Sequence, residues 1–135
     1  MGVKTYRDLL VWQKAMNLVT QIYQVSRLFP SDEIYGLTSQ LRRCAVSIPS
    51  NIAEGQGRNS SGEFLRFLGI AQGSLCELQT QIEIACNLGY IEKETFDNLY
   101  DASREIERMQ SSLMKRGCKI ICVNGHSGVR QAPTL

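Results

Sequence analysis

Residues 35–58 read YGLTSQLRRCAVSIPSNIAEGQGR, and they decide the fold because they set a proline inside a run of helical periodicity. Leu37, Leu41, Cys44, Ala45, Ile48 and Ile52 recur at steps of three and four, the spacing of one face of an α-helix. Pro49 supplies no amide donor and its ring opposes the carbonyl four residues earlier, so a helix through it must bend or recruit side-chain hydrogen bonds. Ser47, Ser50 and Asn51 stand where they could supply those bonds. Arg43, Ser47, Ser50, Asn51, Glu54 and Arg58 form a second, polar stripe, which is either a solvated face or a hydrogen-bonded seam between helices.

The flanking segments continue the helical pattern. From Asp8 to Arg27 two apolar seams adjoin: Leu9, Trp12, Met16, Val19 and Tyr23 in one, Val11, Ala15, Leu18, Ile22 and Val25 in the other. An arc this wide exceeds what one neighbouring helix covers, so the helix either sits deep in a bundle or meets another subunit. Asp8 is the expected N-cap, and Phe29-Pro30 closes the helix. The second helix is expected to stop at Gly55 and Gly57 in the left-handed conformation. Ser60 and Glu63 have capping-box spacing, which predicts a third helix from Ser61 to about Leu88, ended by Gly89. Its core stripe is Phe64, Phe67, Leu68, Ala71, Leu75, Leu78, Ile82 and Ala85, with Gly69, Gly73 and Ser74 expected to permit close helix approach. Leu65, Ile70, Ile84 and Leu88 make a second apolar flank. A fourth helix, from about Lys93 to Arg116, carries Phe96, Leu99, Ile106, Met109 and Leu113, begins acidic and ends basic, an order that complements its dipole. Four amphipathic helices on short connections predict an all-α, antiparallel up-and-down four-helix bundle over residues 1–117, with a flexible tail over 118–135. Apolar flanks on the first and third helices favour a homo-oligomer.

The strings RRCAVSIPSNIAEGQGR (42–58) and SSGEFLRFLGIAQGSLCELQTQI (60–82), with YRDLLVWQKAMNLVTQIYQVSRLFP (6–30) before them and NLGYI (87–91) after, resemble the signature of the 23S rRNA intervening-sequence proteins, a family also described as ribosomal-protein-like. The resemblance spans about residues 6–116. It implies a compact antiparallel bundle that assembles into a ring, a homopentamer, with no established catalytic activity. The family's association with genes lying within ribosomal RNA intervening sequences makes RNA a candidate partner.

Composition narrows the chemistry. The chain has 135 residues and a formal net charge of +2, which suits one domain without a strong global pull toward nucleic acid or membrane. No apolar stretch approaches the roughly 20 residues that span a bilayer, and the N-terminus lacks a signal-peptide layout, so a cytoplasmic protein is expected. Cys44, Cys76 and Cys86 fall among apolar neighbours and read as reduced thiols. The one histidine, His126, lies in the tail, which leaves the helices without a Glu-x-x-His metal motif or a base for a cysteine nucleophile. Cys118, Cys122 and His126 give three zinc-type ligands where structural zinc uses four. The glycines around Arg58 lack both the preceding strand of a dinucleotide site and the Gly-Lys-Ser/Thr of a phosphate loop. No catalytic residue, metal, cofactor or small-molecule substrate is therefore expected.

Two functional readings remain. In the first, Arg42, Arg43, Arg58 and Arg66 bind structured RNA by backbone and shape, and a ring multiplies a modest patch. In the second, the bundle is an assembly scaffold that recruits a protein partner without nucleic-acid binding. Val11, Trp12 and Leu18 are the candidate oligomer contacts, and Ser47, Pro49, Ser50, Asn51, Glu54 and Glu77 the candidate polar seam, with Glu54 expected to clasp the Pro49 bend.

Overall fold

Helix α1 (Leu10–Ser26) follows a single 3-10 turn at Tyr6–Asp8 in the computed structural model, which describes residues 2–116. The expected tail and the Cys118, Cys122 and His126 spacing lie outside the described residues. Asp8 does not cap α1; it closes a capping box with Thr5 around the 3-10 turn, accepting from the amides of Lys4 at 2.8 Å and Thr5 at 3.1 Å. Those two amides hold its carboxyl below the usual range. Leu9 takes the N-cap position of α1 instead.

Three more helices follow: α2 (Leu37–Gly57), α3 (Ser61–Asn87) and α4 (Lys93–Lys115). The α2 start is capped from a distance, since Glu33 Oε1 accepts from the Leu37 amide at 2.9 Å. Helical structure runs unbroken through Pro49. Neither Gly55 nor Gly57 is left-handed; α2 ends because Arg58 turns extended at φ −84°, ψ 147°, and the one positive-φ glycine among the described residues is Gly89, at φ 80°, which ends α3. Ser60 caps α3 as its spacing predicts, accepting from the Glu63 amide at 3.1 Å.

Each helix packs on two others, α1 and α3 both lying against α2 and α4. Cys44 and Ser47 meet Ser74, whereas Gly55 lies against Phe64 and Phe67, so the chain directions of α2 and α3 oppose. Along the α3–α4 contact Gln79 meets Ser103 and Gln72 meets Gln110, with the same reversal. The core follows the helical repeats: Val11, Ala15, Leu18 and Ile22 from α1, Leu41, Ala45, Ile48 and Ile52 from α2, Phe64, Leu68, Leu75, Leu78 and Ile82 from α3, and Leu99, Ile106 and Leu113 from α4. Each such leucine, isoleucine or phenylalanine stabilises the fold by about 1.5–3 kcal/mol.

The close approach between α2 and α3 occurs at a glycine that periodicity did not single out. A β-carbon on Gly55 would stand 2.8 Å from Phe67 Cβ, whereas one on Gly69 or Gly73 would meet nothing within 4 Å. Gly69 and Gly73 lie on the outer face of α3, so they do not serve packing within the protomer.

Candidate interaction surfaces

The polar stripe of α2 divides between two surfaces. Ser47 and Asn51 face α3: the Ser47 and Ser74 hydroxyls lie 2.6 Å apart, and Asn51 Nδ2 donates to the Ser47 carbonyl at 2.8 Å and its hydroxyl at 3.2 Å. The neighbouring Cys44 thiol donates to the Ser74 carbonyl at 3.0 Å and approaches Glu77 Oε1 at 3.7 Å. Burial, reinforced by the negative Glu77, pushes this thiol up to about 12, so it stays protonated and is a poor nucleophile. Gln40, Arg43, Glu77 and Gln81 extend the seam into an open polar hollow of about 310 Å³.

Three seam assignments do not hold. Glu54 is exposed and its Oε2 accepts from Arg58 at 2.7 Å, one turn along the same helix, so it spans no bend. Ser50 is exposed and Pro49 buried on the side of α2 that faces α1. A helix that contacts neighbours on two sides splits a stripe that looks continuous on a helical projection.

The four arginines do not form one patch. Arg42 turns toward α1, where Nε donates to Ser26 Oγ at 2.7 Å and the guanidinium lies 4.7 Å from the Tyr23 ring centre. Arg43 is exposed beside Glu77, and its side chain makes no ion pair or hydrogen bond among the described residues. Arg58 and Arg66 converge on Phe67, at 5.1 and 4.6 Å from its ring centre, and both are paired with acids, Arg58 with Glu54 and Arg66 with Glu63 at 3.3 Å. Along α2, Arg43 and Arg58 are separated by about 22 Å, beyond the roughly 8 Å screening length of physiological salt.

The oligomer assignments divide as well. Val11 and Leu18 are 2% and 1% exposed within a single protomer, so neither can meet another subunit; both belong to the core seam of α1. Trp12 belongs to the other seam and stays partly exposed. It lines an apolar groove of about 370 Å³ between α1 and α2 with Tyr6, Met16, Val46, Pro49 and Ala53. Tyr6 and Trp12 meet edge to face at 5.0 Å between ring centres, and Arg7 lies over both rings at 5.8 and 5.5 Å. Met16, Tyr23 and Val46 remain 43%, 40% and 39% exposed. The α1 side of this groove is legible as the Trp12 seam, whereas Val46 falls between the core and polar stripes of α2 and belongs to neither repeat.

Among the described residues no three histidine, cysteine, aspartate or glutamate side chains converge as metal ligands, and no helix is long and apolar enough to cross a membrane.

No curated protein matches the chain. A solved structure with a similar fold is the crystal structure of a protein with unknown function from the S23 ribosomal protein family of Bacteroides thetaiotaomicron VPI-5482. It superposes with a TM-score of 0.73 at 23% identity, over 78% of this chain and 96% of that one. The family model described as 23S rRNA-intervening sequence protein matches residues 7–112, which cover α1 to α3 and all but the end of α4, and the chain belongs to that family.

Proposed function

We propose that this protein acts as a non-enzymatic, cytoplasmic assembly protein whose copies join into a ring, a pentamer as the family resemblance implies, through the groove between α1 and α2. The observation that supports this reading is the groove itself: Trp12, Met16 and Val46 are left partly exposed along one apolar lining. Contiguous apolar surface of this kind marks contact sites. The test is the native mass of the purified chain and of a Met16→Glu/Val46→Glu variant, with circular dichroism as the control for folding. A lower mass for the variant supports the reading, and an unchanged mass overturns it.

RNA is the second reading, through Arg42, Arg43, Arg58 and Arg66. Its support is Arg43, a cation without a side-chain partner among the described residues that a ring would repeat. The acids paired with Arg58 and Arg66 weaken their share. Binding to a structured ribosomal RNA fragment across a salt series checks it: affinity that falls steeply with salt and is lost on alanine replacement of all four supports RNA. Absent binding at low salt leaves the scaffold, with a protein as the recruited partner.

A further inference from the structure

We infer, resting on the assembly reading above, that the groove between α1 and α2 receives the outer face of α3 from a second copy, so that each copy is bound on one side and binds on another. The outer face of α3 carries Ile70 and Ile84, each 42% exposed, and Leu88, 55% exposed. These are large apolar residues that the protomer leaves open. Beside Ile70 a β-carbon at Gly69 or Gly73 would meet no neighbour within 4 Å, so the backbone there is bare and open to a bulky side chain. Trp12 is the bulky side chain that the groove presents.

Charge agrees with this pairing. Beyond Arg66 the charged residues of α3 are Glu77 and Glu83, both exposed, and no cation follows within the helix. The groove lining carries no charged residue; Arg7 lies over its Tyr6 and Trp12, and beyond Val19 on the same seam of α1 Arg42 lies over Tyr23. An acidic, apolar ridge thus meets an apolar groove flanked by arginines. Two grooves meeting each other would instead oppose arginine to arginine, which disfavours a two-fold contact.

Geometry gives the consequence. Within the protomer α1 and α3 lie diagonally, each packed against α2 and α4, so the groove and the ridge open in different directions and cannot satisfy each other in one copy. A contact between two different surfaces of the same chain propagates head to tail and closes into a ring when the rotation allows.

Two variants test this and keep its failure separate from that of the assembly reading. The groove variant is Met16→Glu/Val46→Glu, and the ridge variant is Ile70→Glu/Ile84→Glu, all at exposed positions; Gly73→Trp is an independent ridge block. Native mass spectrometry is expected to find each variant monomeric alone and a one-to-one heterodimer on mixing, because the mixture restores one intact groove and one intact ridge. If the groove variant falls to monomer while both ridge variants keep the wild-type mass, assembly stands and the α3 assignment is overturned. Monomers that ignore each other on mixing overturn it too. If the groove variant keeps the wild-type mass, the assembly reading itself has failed.

Discussion

Gly55 of α2 lies so close to Phe67 of α3 that a methyl group on the glycine would stand 2.8 Å from the phenylalanine β-carbon and 3.3 Å from the Phe64 carbonyl oxygen. Neither atom is the free end of a flexible side chain, so the helices themselves must shift. Gly55→Ala adds about 1 kcal/mol of helix propensity, but overpacking costs about 1–3 kcal/mol. The expected outcome is net destabilisation, read as a lower urea midpoint with an unchanged slope; Gly73→Ala, in open space, should instead be neutral or stabilising.

Cys44 should resist thiol reagents. Its thiol is pushed up to about 12, chiefly by burial and then by Glu77, whereas Cys76 is exposed. Peptide mapping after brief labelling at neutral pH should find Cys76 modified and Cys44 modified only under denaturing conditions. The fold favours the neutral thiol, so its stabilising share is complete below the ordinary value of 9.0 and lost as pH rises through about 12. Cys44→Ala should therefore flatten the alkaline limb of the stability profile.

The Tyr90 hydroxyl donates to Glu33 Oε2 at 2.8 Å, tying the α3–α4 connection to the start of α2, and Phe29 packs on the Tyr90 ring at 5.4 Å between centres. The Leu37 amide, and then Tyr90, hold the Glu33 carboxyl below its ordinary range; its contribution is present above the ordinary value of 4.5 and lost as pH falls through the lowered one. Glu33 in turn raises the Tyr90 phenol, whose contribution is present below 10.0 and lost as pH climbs through the raised value. Tyr90→Phe should lower the melting temperature at neutral pH and reduce the pH dependence at both ends. A wild-type profile in thermal melts from acid to alkaline pH would remove this bond from the account.

Pro49 combines two roles that mutation can separate. It lacks the amide that would complete the helical ladder of α2, and it lines the groove against α1. Pro49→Ala is expected to leave the protomer's melting temperature equal or higher, because the missing hydrogen bond returns, while straightening α2 and weakening assembly. Sedimentation and a structure of the variant check both halves; an unchanged helix axis and an unchanged mass would show that no shape-determining bend resides there.

Much of the bundle could be read from the chain because helix formation and burial are periodic. The four helices, the Ser60 cap, the Gly89 stop and the α2 core stripe through Leu41, Ala45, Ile48 and Ile52 all follow from residue type and spacing. The polar side contacts were less legible. The α3–α4 contact is crossed by Gln79 Nε2 donating to Ser103 Oγ at 3.1 Å and by Gln110 Nε2 donating to Gln72 Oε1 at 2.7 Å, with Gln110 fully buried and its own oxygen unpaired. A glutamine on a helix carries no mark in sequence that separates such a contact from a solvated face.

By itself, then, the chain's sequence determined which segments are helical, where they end within a few residues, and which family they belong to, since these depend on local propensity and repeat. Tertiary structure alone decided which of the two seams of α1 is core and which is surface. That choice placed Val11 and Leu18 inside and Trp12 at the groove, and it paired Glu54 with Arg58 rather than across Pro49. The physical reason is that a helical repeat fixes the angle between two side chains on one helix. The rotation of that helix against its neighbours depends instead on how all four pack together.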